Sequence, residues 1–243
     1  MKILAIDTSS LVCSAAVCED GSLLGEYTLM NGLTHSQKLM PLVNSLLEAL
    51  SLDINDIDVF AVTNGPGSFT GLRIGIATVK GFAFVKEKPV VAVSTLEAMA
   101  YNVQFTDYLI CPLMDARAGQ VYCAAYRRKE SGGLETVINP EATEVQKLIS
   151  ELEKLQDKKI LFLGDGVKPN LEALKGLGER AAFSGFNNGS QRAASVLLAA
   201  YEKAVRGDFI SAEELNAEYL RKSQAERERI SKRVESEVNS TQV

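Results

Sequence analysis

The chain has 243 residues, 46% apolar and 23% charged, with a net charge of −5. This is an ordinary globular composition, and a chain of this size buries about 70–75% of its unfolded surface, which excludes a disordered or fibrous protein and any need for metal or disulfide staples. The acidic balance argues against stand-alone nucleic-acid binding, which asks for a basic surface.

KILAID (2–7) reads as a strand, SLVCSAAVCED (10–20) as a second, and Gly21 as the turn into a third at 22–30. Thr34 and Gln37 have the spacing of a capping box and open a helix from His35 to about Ser51. Its apolar positions, Leu39, Met40, Leu42, Val43, Leu46, Leu47 and Leu50, cover an arc of about 160°, wider than one sheet contact needs. Pro41 is expected to kink this helix or delay its regular part. DVFAVTN (58–64) is a fourth strand, followed by GPGSFTG and a helix over about 69–86. PVVAV (89–93) is a fifth, after which Ser94 and Glu97 cap a helix to about Val103.

The order β-β-β-α-β-α-β-α then returns. YLICPLMD (108–115), GQVYCAAYR (119–127) and LETVI (134–138) are strands, followed by a helix at about 143–155 and the strand KILFLGD (159–165). A helix near 168–175, a short strand near 179–183 and a helix at about 190–206 complete it. Asp7 and Asp115 end the first strand of each half, and Gly65-Pro66-Gly67 and Gly164-Asp165-Gly166 both follow the fourth. We read a duplicated α/β unit: a first lobe over 1–104, a second, smaller lobe over 105–221, and a charged tail over 222–243 that reads as a frayed helix.

The apolar run Ile3-Leu4-Ala5-Ile6 is too short for a signal-peptide core, and no run of about 18 apolar residues offers a membrane helix. A cytoplasmic protein without membrane contact is expected. Cys13, Cys18, Cys111 and Cys123 form no C-x-x-C pair and read as small hydrophobes, with Cys13 and Cys18 on opposite faces of one strand. His35 is the only histidine, which leaves two-histidine metal sites without residues to build them. No catalytic, metal or cofactor-binding residue is assigned.

GPGSFTGLR (65–73) is the strongest local signal, because glycines ahead of a helix leave N–H groups free for an anion. Ser68, an N-cap, and Arg73 are the candidate anion contacts. The spacing G-x-G-x-x-x-G fits neither the dinucleotide fingerprint nor the P-loop, and a tight strand-to-helix elbow, the favoured reading, asks for the same residues. In the helix that follows, Gly71, Gly75 and Thr78 form one stripe that admits a close neighbour, either this chain's own sheet or a second chain.

Asp7 followed by Thr-Ser-Ser resembles the first phosphate motif of the actin, Hsp70 and sugar-kinase (ribonuclease H-like) superfamily, whose duplicated units clamp ATP. The pattern there is Asp-x-Gly in both halves. Ser9 and Arg117 stand at the glycine positions, and Gly164-Asp165-Gly166 replaces the adenosine-contacting Gly-Gly pair, so ATP hydrolysis is not expected.

Together, ILAIDTSS, THSQ, NGPGSFTGLRIGIATVKGFA, DARAGQVY and AEYLR (217–221) resemble the TsaB family of bacterial tRNA threonylcarbamoyladenosine biosynthesis, over residues 1 to about 221. The resemblance implies a degenerate paralogue of TsaD, the subunit that transfers a threonylcarbamoyl group to the adenosine beside the anticodon. TsaD holds a metal through H-x-x-x-H; here Leu39 stands four residues after His35, so that site is not expected and His35 is read as a cap or surface residue. A non-catalytic subunit supporting TsaD is implied, with the TsaE ATPase and tRNA met only through the complex and a homodimer formed when alone. The resemblance also implies an interface on the first two helices, to which we assign Leu39, Leu42, Val43, Leu46, Gly71, Gly75 and Thr78. An autonomous ATPase or sugar kinase on the same fold is the alternative.

Overall fold

The first strand, β1 (Lys2–Asp7), is apolar on both faces, with Leu4 and Ile6 in one core and Ile3 and Ala5 in another. Side chains alternate along a strand, so such a strand is stable only in the middle of a sheet covered on both sides. The computed structural model, which describes residues 1–30, 34–130, 132–185 and 188–221, has this arrangement. β1 pairs antiparallel with β2 (Cys13–Glu19), which pairs antiparallel with β3 (Ser22–Leu29). On its other side β1 runs parallel to β4 (Val59–Gly65), and β4 to β5 (Val90–Ser94), giving the order β3-β2-β1-β4-β5.

The second half repeats this with β6 (Leu109–Arg117), β7 (Gln120–Arg128), β8 (Leu134–Glu144), β9 (Ile160–Leu163) and β10 (Ala181–Phe183) in the order β10-β9-β6-β7-β8. The expected duplication is therefore present strand for strand. β8 runs past Asn139-Pro140, where the sequence reading ended it. It is an edge strand, and the proline falls where the β7–β8 register shifts between Cys123 and Ala125, so no ladder bond is lost to the missing N–H.

α1 (His35–Ala49) and α2 (Phe69–Lys86) cover one face of the first sheet, packing Leu39, Leu46, Leu72 and Val79 against Leu4, Ile6 and Phe60. The helices on the other side are exchanged between the halves. α3 (Thr95–Ala100), from the first half, places Leu96 and Met99 on Ile110, Met114 and Leu163 of the second sheet. α6 (Ala193–Val205), from the second half, places Val196, Ala199 and Ala200 on Ile3, Ala5 and Val91 of the first. Tyr101 Oη donates to Glu202 at 2.6 Å and Lys203 pairs with Glu97 at 2.8 Å, tying the two into one middle layer. α4 (Val145–Glu153) and α5 (Leu171–Lys175) close the far face of the second sheet over Leu109, Cys111 and Phe162. The chain then returns to the first lobe: Ile210 bridges to Val90, and Leu215 is fully buried in the first core.

Neither capping box forms. Gln37 N donates to the Thr34 carbonyl, and the side chains of Thr34 and Ser94 cap nothing, because the sequence pattern supplies the partners without fixing their rotamers. α1 passes unbroken through Pro41, which lies on its exposed side where the freed Gln37 carbonyl can meet water. All four cysteines are buried, Cys13 and Cys18 in separate cores, and burial pushes the Cys13 thiol up to about 11. Among the described residues, no helix is long and apolar enough to cross a membrane. The tail over 222–243 lies outside the described residues.

Because Leu215 anchors an otherwise irregular segment into the core, Leu215→Ala should cost about 2–5 kcal/mol, the range for a buried leucine. Urea unfolding followed by circular dichroism measures it; a loss below about 1 kcal/mol would mean that the segment does not stabilise the first lobe.

Candidate functional site

β1 and β4 end side by side, and there the chain changes from apolar to polar: Asp7, Thr8, Ser9, Thr63 and Asn64 are all buried. Buried polar groups need partners, and these find them within the chain. Asp7 Oδ1 accepts from Ser9 N at 2.8 Å, Ser9 Oγ at 2.7 Å and Thr63 Oγ1 at 3.1 Å. Burial pushes the Asp7 carboxyl above the usual carboxylate range, and the Ser9 and Thr63 donors offset part of that. Ser9, at the position where the phosphate motif has glycine, thus turns its hydroxyl inward onto the carboxylate that ends the strand. Thr8 Oγ1 donates to the Gly71 carbonyl at 2.7 Å, and Ser68 N to the Ser9 carbonyl at 2.7 Å. The β1–β2 turn and the first turns of α2 are one hydrogen-bonded unit.

The two glycines of the α2 stripe belong to that unit. A Cβ on Gly71 would lie 2.1 Å from the Thr8 carbonyl oxygen, and one on Gly75 2.5 Å from Thr8 Oγ1. They admit this chain's own turn, and not a partner. Thr78 is half-buried with its hydroxyl on the Ile74 carbonyl, the i−4 bond that a helical threonine makes when no other acceptor is near. Leu39, Leu42, Val43 and Leu46 are 1–4% exposed in the first core. The broad apolar arc of α1 is consumed by the sheet beneath it, and the four residues assigned to an interface cannot present side chains to one. The exposed side of α1 carries Met40, Asn44, Ser45 and Glu48 instead.

Of the candidate anion contacts, Ser68 is the N-cap of α2, its Oγ accepting from Gly71 N at 3.2 Å. Arg73 lies over the Phe69 ring at 3.9 Å and donates through Nε to Tyr219 Oη at 3.2 Å, while Phe69 and Tyr219 stack at 4.7 Å. The elbow reading therefore accounts for both. His35 is half-buried, and since its Nε2 meets the Ser10 carbonyl at 2.7 Å, that nitrogen carries the proton. It ties α1 to the β1–β2 turn, a role neither cap nor surface residue describes; its buried Nδ1 has no partner among the described residues.

The second half repeats the motif differently. Arg117 N donates to Asp115 Oδ1 at 2.7 Å, as Ser9 N does to Asp7, but Asp115 and Arg117 are exposed, and Asp115 N is held by Asp165 Oδ1 at 3.2 Å. A cleft of about 410 Å³ lies between the halves, with Ser10, Leu11 and Met30 on one wall and Asp165, Lys168 and Gln191 on the other. Among the described residues, no three His, Cys, Asp or Glu side chains gather as a metal cluster.

Sequence reasoning missed the segment 211–221 as part of this site. Glu218 N donates to the Asn64 carbonyl at 2.8 Å, and the Glu218 carbonyl sits where a Cβ on Gly65 (φ +136°) would lie 2.2 Å away. Arg221 donates to the Ala116 and Arg117 carbonyls. AEYLR carried the only local signal for this, and its partners lie more than 100 residues away.

Two outcomes follow. Gly75→Leu overpacks the contact with Thr8, an effect of about 1–3 kcal/mol, and should lower the melting temperature by roughly 3–10 °C; an unchanged melt would return the stripe to the surface. Because the folded-state value of Asp7 is raised above its unfolded one, the folded protein holds the extra proton, and stability falls as pH rises through the window between the two. Asp7→Asn keeps an oxygen for the same three donors and should flatten that slope in urea unfolding between pH 4 and 8; an undiminished slope would assign it to other groups.

Residues 32–229 match the family model described as TsaD, tRNA N6-adenosine threonylcarbamoyltransferase. A Bacillus subtilis (strain 168) protein named tRNA threonylcarbamoyladenosine biosynthesis protein TsaB is 40% identical over 164 residues, covering 68% of this chain and 71% of that one. The protein of the same name from Escherichia coli (strain K12) is 40% identical over 148 residues, 58% of this chain and 64% of its own. A crystal structure from Pseudomonas aeruginosa, described as an uncharacterized protein with similarity to peptidase YEAZ, superposes with a TM-score of 0.74 at 27% identity, covering 90% of this chain and 99% of that chain. With the fold and these relatives in agreement, the chain belongs to the TsaB family, within the wider group that the TsaD family model describes.

Proposed function

We propose that the chain is a non-catalytic subunit of tRNA threonylcarbamoyladenosine biosynthesis that acts in the cytoplasm by binding a TsaD-type protein. It meets the TsaE ATPase and tRNA only through that complex, and pairs with a second copy of itself when alone. The observation that carries this reading is the outward face of α2. Leu72, Gly75, Ile76 and Val79 are buried, whereas Arg73, Ala77, Gly81 and Phe84 form an exposed row, with Phe84 69% and Val85 72% exposed beside it. Gly81 faces open space. Small residues in mid-helix with aromatic and apolar residues at one end suit a second helix packing at the 8–10 Å axial distance of helix pairs.

The strand-end chemistry supports the non-catalytic part. Asp7 already accepts three hydrogen bonds from its own chain, and Arg73 is engaged by Phe69 and Tyr219. The cleft between the halves favours a second reading, an autonomous nucleotide-dependent enzyme, and ATP turnover by the isolated chain would bring it forward.

Gly81→Leu should weaken association with TsaD from the same source at least tenfold, about 1.4 kcal/mol, with little change in melting temperature, the reverse of Gly75→Leu. Light scattering after gel filtration together with titration calorimetry reads both. Unaltered affinity would remove the α2 face from the interface, and no association at micromolar concentration would remove the reading.

A further inference from the structure

The segment 211–221 touches a turn of each half within four residues of chain. At one end Glu218 N holds the Asn64 carbonyl, and Tyr219 lies against Phe69 and Arg73 in the first turns of α2. At the other, Arg221 donates to the carbonyls of Ala116 and Arg117 in the β6–β7 turn. Upstream the segment is fixed by Leu215 in the core and by Lys80 Nζ on the Glu213 carbonyl at 3.3 Å, so its end is positioned and not trailing.

The β6–β7 turn is unusual in what it needs. Arg117 (φ +62°), Ala118 (φ +50°) and Gly119 (φ +74°) are three successive left-handed residues, two of which carry a Cβ. Such backbone persists only where its surroundings hold it. The Arg117–Gln120 pair closes Ala118-Gly119 as a two-residue hairpin loop, where positive φ is ordinary, and two further contacts hold the turn: Asp115 Oδ1 on Arg117 N, and the Arg221 guanidinium on the two carbonyls. The second comes from the segment that is seated on α2.

We propose that residues 218–221 are a latch that couples the outward face of α2 to the β6–β7 turn of the second half. Arg73, which engages Tyr219, stands in the same exposed row as Ala77 and Gly81. A protein seated on that row contacts Arg73. Drawing Arg73 away from Tyr219 loosens the seat of the segment, frees Arg221, and lets the turn relax. Only this last step, the partner's hand on the latch, rests on the function proposed above; the coupling of the two ends belongs to the chain alone.

Hydrogen exchange measured by mass spectrometry on the full chain tests it. Arg221→Ala and Tyr219→Ala should each speed exchange at least tenfold at both ends, over 64–70 and over 115–120. Faster exchange confined to the end each variant touches would overturn the latch. Should Tyr219→Ala fail to fold, Tyr219→Phe removes only the bond to Arg73, and Arg221→Lys only the paired carbonyl contact; both should give smaller changes at both ends, and a one-ended change counts against the proposal in the same way. Bound TsaD should alter exchange over 115–120 in the native chain and not in Arg221→Ala. Binding without that change overturns the coupling to a partner. Absence of binding overturns the proposed function and leaves the two-ended result to decide the latch.

Discussion

The near backbone contact between the β1–β2 turn and the first turns of α2 sets the position of everything around it. The Thr8 carbonyl and hydroxyl occupy the space that side chains at Gly71 and Gly75 would fill, and Ser68 N and Thr8 Oγ1 fasten the approach with two hydrogen bonds. Glycine in mid-helix costs roughly 1 kcal/mol against alanine, and the contact offsets that by letting two backbones meet. Once α2 is seated so closely, its Leu72, Ile76 and Val79 lie in the core beside Phe60 and Leu4. The opposite row, with Ala77 and Gly81, is left facing outward. The same approach closes the end of β1, which is why the Asp7 carboxyl is buried and must be satisfied by Ser9 and Thr63.

The two halves share one strand order and use it differently. In the first, the polar end of the central strand is sealed by α2 and by His35. In the second, Asp115 and Arg117 are exposed, and the turn's carbonyls are met by a side chain that arrives from the far end of the described chain. The exchanged helices explain why the halves remain together. α3 buries Leu96 and Met99, and α6 Val196, Ala199 and Ala200, on the other half's sheet, and each sheet would lose cover on one face without the other half.

Much of this was legible because it is local. β1 reads correctly from an unbroken apolar run, α2 from the periodicity that follows a loop, and the Ser68 cap from the residue type at the first turn. The interface assignment failed for a physical reason: a stripe of small residues states that something comes close, and not what. Gly71 and Gly81 look alike in sequence; one meets the Thr8 carbonyl and the other open space. The arc of α1 was likewise over-read, since Leu39 to Leu47 alone fill the sheet contact and only Met40 remains outside. The 211–221 segment was illegible because its meaning lies in contacts such as Arg73 with Tyr219, 146 residues apart, on which no local pattern bears.

The polar groups at the first strand end close on one another. A site that binds an anion or a metal leaves donors or carboxylates unspent and aimed at solvent. Here the donors at the first strand end close onto Asp7, the cap donor of α2 closes onto Ser9, and the best-placed arginine closes onto an aromatic pair. On α2 the surface left open is of another kind: a helix face with small residues in its middle and Phe84 and Val85 at its end. α2 is thus closely approached on its inward side, at Gly71 and Gly75, and bare on the outward side, where Ala77 and Gly81 leave its backbone accessible.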